Sequence, residues 1–330
     1  MDWLPTALVV LLALGFTYTN GFHDSANAIA TSVSTRALTP RAAVGLAAIA
    51  NLIGAFFGAR VAETVGHGII AAPQGNSGLV LCVAALVGAI AWNLLTWWRG
   101  LPSSSSHALI GGLCGAALAA GSDVLWDGVV RLVIVPMLAS PILGAVLAYA
   151  VMAAILWIFR RGSAERVTRG FRLAQTVSAA GMALGHGMQD AAKTAGVIVL
   201  ALTVSGHHRE GAPMPVWVLV ASALVLSLGT YAGGWRIICT LGQRIIDIES
   251  PQGFAAEVSA AAILYVATVL RAPISSTHAI TAAILGAGST RGLKAVRWRI
   301  AADIGWAWLL TLPGAAGLAA AAYGVLHLLA

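Results

Sequence analysis

The chain has 330 residues, of which 59% are hydrophobic and only 9% are charged, and its mean hydropathy is +0.86. A soluble domain carries roughly a quarter of charged residues, so this composition excludes a soluble globular protein and indicates a polytopic membrane protein. The formal net charge of +7 would suggest a nucleic-acid partner in a soluble protein. Here most of the basic residues lie in short loops, which is the positive-inside pattern of membrane proteins, so no nucleic-acid partner is expected.

The first apolar stretch covers residues 3–35. As one helix it would be about 50 Å long at 1.5 Å per residue, which exceeds the roughly 30 Å hydrocarbon core of a bilayer. It therefore requires a tilt, a protruding end or a break, and the break would fall near Asn20-Gly21. At about 20 residues for each span plus loops, a chain of this length has room for roughly ten to twelve membrane segments.

A polar motif lies inside this first apolar stretch. Residues 20–31 read NGFHDSANAIAT, which places Asp24 and Asn27 three residues apart and therefore on one face of a helix. A carboxylate inside a membrane is costly unless it has a local partner or a water-filled site. Asp24, with Asn20 and Asn27 beside it, therefore predicts a functional site within the membrane.

Two ordinary spans are predicted next, over residues 42–61 and 79–98, and a serine run follows them. Residues 102–107 read PSSSSH, and the apolar run after them has only about 15 residues, which favours one arm of a re-entrant hairpin over a full span. Hydroxyl side chains at a helix start cap it, and its free N–H groups with the positive dipole end form an anion site. The candidate anion-binding residues are Ser104, Ser105 and Ser106.

A basic segment at residues 160–172 divides the chain. It contains a single acid, Glu165, and the arginines Arg160, Arg161, Arg166, Arg169 and Arg172. The excess of arginine predicts a cytoplasmic linker. Residues 1–159 before it form a first repeat, and residues 173–330 after it form a second repeat.

Both polar motifs recur after the linker in the same order. Residues 185–196 read GHGMQDAAKTAG, so that Asp190 lies 166 residues after Asp24 and is followed three residues later by Lys193. Residues 273–278 read PISSTH, which is 171 residues after the first serine run. Two different motifs repeated at nearly the same offset indicate an internal duplication. The candidate site residues of the second copy are Gln189, Asp190, Lys193, Ser275, Ser276 and Thr277.

The order of these four motifs resembles the inorganic phosphate transporter family. The resemblance extends from Asn20 to about Gly288 and consists of an Asp-x-x-Asn copy and an Asp-x-x-Lys copy, each followed by a serine-rich hairpin ending in His. It implies an all-α integral membrane protein built as two inverted repeats with two re-entrant helical hairpins. It also implies a secondary transporter that couples phosphate entry to Na⁺ or H⁺. One position departs from the family pattern, because many members carry Asn-Asp where this chain has Gln189-Asp190.

The residue types suit a site that holds an anion and a cation together. Two hairpin tips facing each other near the bilayer midplane would offer phosphate many hydrogen-bond donors and little net charge. Lys193 would contact the anion directly or pair with Asp190. Asp24 and Asp190 would repel a bare anion, so we expect them to bind the coupling ion or a proton. Asn20, Asn27 and Gln189 would supply neutral polar groups, with Asn27 on the phosphate side and the other two on the coupling-ion side.

Three other functions remain as alternatives. A sulfate permease of the same family would bind a dianion of the same shape, which cannot donate a proton at neutral pH. A passive anion channel would not need paired buried acids. An intramembrane serine hydrolase could use Ser106 and His107, but neighbours in sequence do not form a nucleophile–base pair and a duplication has no purpose in one catalytic site. We therefore expect a transporter and no enzymatic activity.

The expected partners are inorganic phosphate, Na⁺ or H⁺, the lipid bilayer and, as one option, a second copy in a homodimer. No cofactor is expected, and Na⁺ at Asp24 and Asp190 is the only metal ion considered. The three cysteines are scattered in apolar contexts without metal or redox spacing. The expected location is the plasma (inner) membrane, which the chain crosses several times.

Overall fold

The computed structural model describes residues 3–58, 61–62 and 68–329, and this part of the chain is almost entirely helical. The exception is one isolated β-bridge between Ile70 and Val124. The prediction of an all-α protein is therefore confirmed. The predicted loop between the second and third helices lies partly outside the described residues.

Five helices of the first half have both ends within the described residues, and they are numbered here in chain order. They are α1 (Trp3–Ser34), α2 (Pro40–Ala55), α3 (Asn76–Arg99), α4 (Ser105–Ala119) and α5 (Trp126–Ile158). Helix α5 includes a π-helical stretch, Val129–Ile134, near its start. The first Asp motif lies on α1, and the first serine run leads directly into the short helix α4.

The second half also contains both long and short helices. It contains α6 (Ala164–Val204), α7 (Val216–Ala232), α8 (Trp235–Arg244), α9 (Ser250–Val269), α10 (Ser276–Ser289) and α11 (Trp298–Leu329). Helices α7 and α8 meet at a bend of 61°. The second Asp motif lies on α6, and the second serine run leads into the short helix α10.

Helix α1 continues through Asn20 and Gly21, so the break considered at that point is absent. The backbone stays helical through this stretch, while His23 and the amide nitrogen of Asn27 bond to side chains of other segments. Gly21 instead allows a close crossing with α7, because a Cβ atom at Gly21 would lie 2.5 Å from the carbonyl oxygen of Leu226. A Cβ atom at Gly229 of α7 would likewise collide with the carbonyl oxygen of Tyr18. Glycine at both positions therefore lets the two backbones touch.

Five of the described helices are long and apolar enough to cross a membrane, namely α1, α3, α5, α9 and α11, and the bent pair α7–α8 would supply a sixth. This supports a multi-pass membrane protein. The prediction of ten to twelve segments is not confirmed, because several helices fall outside that criterion. Helices α2, α4 and α10 have only 16, 15 and 14 residues, and the 41-residue helix α6 carries the second polar motif in its interior.

The two halves of the chain pack against each other, because helices of each half contact helices of the other half. The short helix α4 packs against α11 at the end of the second half, and the short helix α10 packs against α5 at the end of the first half. In the same way α1 packs against α7, and α6 packs against α2. The four polar motifs consequently meet in the interior between the halves.

Candidate functional site

Each short helix begins with a serine cap. The Ser104 Oγ accepts a hydrogen bond from the backbone N–H of His107 at 3.1 Å, and the Ser275 Oγ accepts one from the N–H of His278 at 3.2 Å. These bonds satisfy one free donor at each helix start. The next residues, Ser105 and Ser276, are the first residues of α4 and α10. Their hydroxyl groups do not serve as N-caps.

The two helix tips face each other. The Ser106 Oγ of the first tip lies 3.5 Å from the carbonyl oxygen of Ile274, the residue before the second cap. The imidazole rings of His107 and His278 lie behind the tips with their centroids 4.8 Å apart. The sequence prediction that both serine runs contribute to one site therefore agrees with their placement.

Lys193 joins both tips to the second Asp motif. Its Nζ donates hydrogen bonds to the Ser106 Oγ at 2.5 Å, to the Ile274 carbonyl oxygen at 2.7 Å and to the Asp190 Oδ1 at 2.8 Å. These three bonds use all three donors of the ammonium group. Only 2% of Lys193 is exposed, and its positive charge is therefore held at the contact between the tips.

Asn27 makes the equivalent contact from the first Asp motif. Its Nδ2 donates to the Ser276 Oγ at 3.1 Å and to the Thr277 Oγ1 at 2.9 Å. The first Asp motif thus contacts the second tip, while Lys193 of the second motif contacts the first. This crosswise pairing means that neither half of the chain contains a complete site.

Asp24 and Asp190 lie close together with a histidine between them. Asp24, His186 and Asp190 are all buried, and one ligand atom from each lies within 4.8 Å of the other two. Three atoms within that spacing of one another lie no more than about 2.8 Å from a common point, which is close to the distance at which oxygen ligands hold a cation. The carboxylates differ in their other contacts: Asp24 accepts a hydrogen bond from His23 Nδ1 at 2.7 Å, and Asp190 pairs with Lys193.

Several oxygens of the predicted site residues have no hydrogen-bond partner among the described residues. They are Asn20 Oδ1, Asn27 Oδ1, Ser105 Oγ, Gln189 Oε1 and Asp190 Oδ2, the last of which lies at ion-pair distance from His186 Nε2. Buried polar atoms are nearly always hydrogen-bonded in folded proteins, so these five indicate capacity for a ligand. The amide nitrogen of Gln189 is already used, because it donates to Thr268 Oγ1 at 2.9 Å.

The twelve predicted site residues are all closed off from solvent. None of them is more than 4% exposed. They come from four helices, α1, α4, α6 and α10, and from the residues that lead into the two short ones. The contacts above join the two helix tips to Asn27, Lys193 and Asp190, whereas Gln189 bonds to Thr268 of α9.

The sequence profile of the phosphate transporter family matches residues 20–319. The chain belongs to this family. The match covers all four polar motifs, so the family predicted from those motifs is confirmed.

Similar proteins from other organisms carry the names of phosphate transporters. A probable low-affinity inorganic phosphate transporter of Mycobacterium bovis is 48% identical over 324 residues, which cover 97% of this chain and 77% of the relative. A protein of Bacillus subtilis with the same description is 42% identical over 326 residues and 98% of both chains. A solved structure titled "The sodium-dependent phosphate transporter" has a TM-score of 0.86 at 24% identity and covers 99% of this chain and 100% of that chain. The fold is shared with that structure, and the expectation of a transporter rather than an enzyme is confirmed.

The transporter also contains a buried carboxylate that the sequence analysis missed. Glu257 of α9 is 0% exposed and accepts hydrogen bonds from Thr31 Oγ1 at 2.5 Å, from Ser32 Oγ at 2.6 Å and from Ser178 Oγ. Thr31 lies one turn beyond Asn27 on α1, so this cluster adjoins the main site. Its position in the sequence could have identified it, because Glu257 is an ionisable residue inside the apolar stretch 255–270. An ionisable residue within a membrane segment is by default a candidate for a functional site.

Replacing the hydroxyls beyond the caps tests the anion site. Ser105→Ala and Ser276→Ala should each weaken phosphate affinity about ten- to a hundred-fold, because losing one hydrogen bond to a charged group costs roughly 1.5–3 kcal/mol. Equilibrium binding of phosphate to the purified variants measures this. Ser275→Ala is the comparison for capping, since it removes the N-cap and should lower stability by about 1 kcal/mol. Normal affinity in both Ser105→Ala and Ser276→Ala would limit the tips to a structural role.

Proposed function

We propose that this transporter is a secondary active symporter that moves inorganic phosphate across the plasma membrane and is driven by a Na⁺ or H⁺ gradient. The observation that carries the proposal is the crosswise pairing of the motifs. Asn27 contacts the second helix tip, Lys193 contacts the first, and Asp24 and Asp190 lie beside them. The site therefore combines anion-binding helix starts with a place for a cation.

Phosphate would bind between the two tips. The first backbone N–H groups of α4 and α10 and the hydroxyls of Ser105, Ser106, Ser276 and Thr277 offer donors, and helix starts favour anions. Lys193 adds the positive charge that the neutral donors lack. Its ammonium group bonds to Ser106 and to the Ile274 carbonyl oxygen, and phosphate oxygens would replace these neutral acceptors with charged ones.

Asp24 and Asp190 would hold the coupling ion. Two carboxylates beside an anion repel it, and the low dielectric of the membrane enlarges that repulsion. A Na⁺ ion or a proton in the Asp24–His186–Asp190 cluster would neutralise part of this charge, so that phosphate and the coupling ion bind favourably only together. A carboxylate that accepts the phosphate O–H would also favour phosphate over sulfate, which has no such proton at neutral pH.

Alternating access would follow from the arrangement of the two halves. We propose that residues 1–159 and 173–330 are inverted repeats joined by the cytoplasmic linker 160–172. The exchanged packing of α4 on α11 and of α10 on α5 supports a pseudo-two-fold relation. The short helices α4 and α10 would be the membrane-embedded arms of the two hairpins, and they would bring the segment number above the six apolar spans.

Cysteine labelling tests the inverted arrangement. Thr39 follows α1 and Gly206 follows α6, and both positions are exposed. If the repeats are inverted, a cysteine at position 39 and a cysteine at position 206 should react with a membrane-impermeant reagent from opposite sides. Reaction of both from the same side would rule out the inverted model.

Uptake into proteoliposomes tests the function itself. Radiolabelled phosphate should accumulate against its gradient when a Na⁺ gradient or a pH gradient is imposed, and the two gradients applied separately identify the coupling ion. Excess unlabelled sulfate should compete far less well than excess unlabelled phosphate. Phosphate flux that only follows its own concentration gradient would instead identify a passive anion channel.

A further inference from the structure

We propose that Asn51, held in place by Thr230, is a positioning residue that fixes the imidazole of His186 within the Asp24–His186–Asp190 cluster. The inference rests on the proposed function, since it assigns a role in binding the coupling ion to two residues outside the repeated motifs. Among the described residues, neither Asn51 nor Thr230 makes a hydrogen bond to Asp24 or Asp190. Their influence would pass entirely through His186.

The hydrogen bonds determine which way the Asn51 amide points. The Thr230 hydroxyl has one proton, which it donates to the Leu226 carbonyl oxygen at 3.0 Å. It therefore accepts at 2.8 Å from the Nδ2 of Asn51. The Oδ1 of Asn51 then faces His186 Nδ1 at 3.1 Å. An amide oxygen only accepts hydrogen bonds, so the Nδ1 of His186 must carry a proton.

Because Nδ1 of His186 bonds to Asn51, the other ring nitrogen, Nε2, is the one that lies beside Asp190. The Nε2 of His186 lies 2.8 Å from the Asp190 Oδ2, and a ring nitrogen of His186 lies within 4.8 Å of a carboxylate oxygen of both Asp24 and Asp190. A partner that binds one ring nitrogen of a histidine sets both the tautomer and the direction of the other nitrogen. Asn51 and Thr230 would thus decide whether Nε2 is presented to the coupling ion.

The surrounding packing leaves this arrangement little freedom. Asn51, Thr230, His186 and Asp190 are each 0% exposed. Gly187, the residue after His186, lies so close to the backbone oxygen of Asn51 that a Cβ atom there would collide with it. Helices α2 and α6 are therefore in backbone contact beside the ring. Thr230 follows Gly229, the residue at which α7 crosses α1 near Gly21, about one turn before Asp24. The crossings of α7 with α1 and of α6 with α2 therefore support both carboxylates.

Matched variants separate positioning from general packing. Thr230→Val and Asn51→Leu remove the polar groups, Thr230→Ser keeps the hydroxyl, and Ser227→Ala deletes a different α7–α2 hydrogen bond, from Ser227 Oγ to the Ala48 carbonyl oxygen at 2.8 Å. Thr230→Val and Asn51→Leu should raise the coupling-ion concentration for half-maximal uptake by about ten- to a hundred-fold, the effect typical of lost outer-shell partners. The phosphate KM at saturating coupling ion should stay within about two-fold. Thr230→Ser and Ser227→Ala should behave as wild type.

A spectroscopic measurement tests the ring assignment without any transport. In protein labelled with ¹⁵N-histidine, the His186 signals are those lost in His186→Gln, and they should show a protonated Nδ1 in the wild type. Asn51→Leu should abolish this preference. A wild-type Nδ1 without a proton, or an unchanged ring signal and unchanged ion dependence in Asn51→Leu, would overturn the inference. If wild-type uptake responds to neither Na⁺ nor pH, the proposed function fails, and the ring assignment is still decided by the ¹⁵N signals.

Discussion

Lys193→Gln should reduce phosphate affinity by about a hundred-fold at any Na⁺ concentration or pH. The ammonium group is 2% exposed and bonds to Asp190 and to both helix tips. Truncating one partner of a buried, hydrogen-bonded charge pair costs about 2–5 kcal/mol of binding free energy or more, and each 1.4 kcal/mol is a factor of ten in affinity. The loss should fall mainly on phosphate binding, because the Lys193 ammonium group bonds directly to Ser106 and to the Ile274 carbonyl oxygen. Equilibrium binding of radiolabelled phosphate to purified protein measures it.

The chain offers a matched control for this substitution. Its only other lysine, Lys294, is exposed in a short 3₁₀ turn, and Lys294→Gln should leave phosphate binding unchanged. Asp190→Asn combined with Lys193→Gln removes both charges of the pair. This double variant should regain thermal stability relative to Lys193→Gln alone without regaining phosphate binding. Full phosphate affinity in Lys193→Gln would show that the lysine only neutralises Asp190.

Asp24→Asn and Asp190→Asn should each abolish gradient-driven phosphate uptake. Both substitutions keep the shape of the side chain and remove its charge, so they should weaken the coupling-ion site more than the phosphate site. The expected signature is phosphate binding that no longer responds to the coupling ion. Titration of equilibrium phosphate binding with Na⁺, repeated across pH, measures this response.

The two aspartate variants should also differ from each other. Asp190 is the carboxylate that pairs with Lys193, so Asp190→Asn should lower thermal stability and phosphate affinity in addition to removing the ion response. Asp24→Asn leaves the Lys193 pair intact and should show the ion defect with a smaller loss of affinity. Asp127→Asn is the control, because that side chain is 76% exposed and pairs only with Arg131. An unchanged ion and proton dependence in both Asp24→Asn and Asp190→Asn would leave these acids with a packing role.

A candidate site could be predicted from the sequence because its residues are repeated. Asp24 with Asn27 and Asp190 with Lys193 stand at the same spacing in apolar surroundings, and a serine run follows each pair. Two copies of one pattern, each polar inside an apolar region, predict a shared location without any knowledge of the fold. The path of α1 was harder to predict. Asn20-Gly21 suggests an opened helix, whereas the structure uses Gly21 for a helix crossing, and only the position of α7 distinguishes these outcomes.

Single residues whose partners are distant in sequence could not be assigned in this way. Glu257 is separated from Thr31 by 226 residues, and Asn51 is separated from His186 by 135. Nothing near Asn51 in the sequence distinguishes it from an ordinary polar residue in a membrane helix. Its role depends on α2 crossing α6, which is a property of the assembled helices and has no local pattern.

The crosswise pairing also bears on how such a site could arise. A transporter made of two identical, oppositely inserted chains would carry the same residue at the positions of Asn27 and Lys193. It would therefore have either two lysines between the tips or none. Joining the two halves in one polypeptide lets these equivalent positions diverge, and this chain has one amide and one ammonium group there. If the two halves are the inverted repeats that we propose, joining them in one polypeptide permits an odd number of positive charges at the centre of the protein.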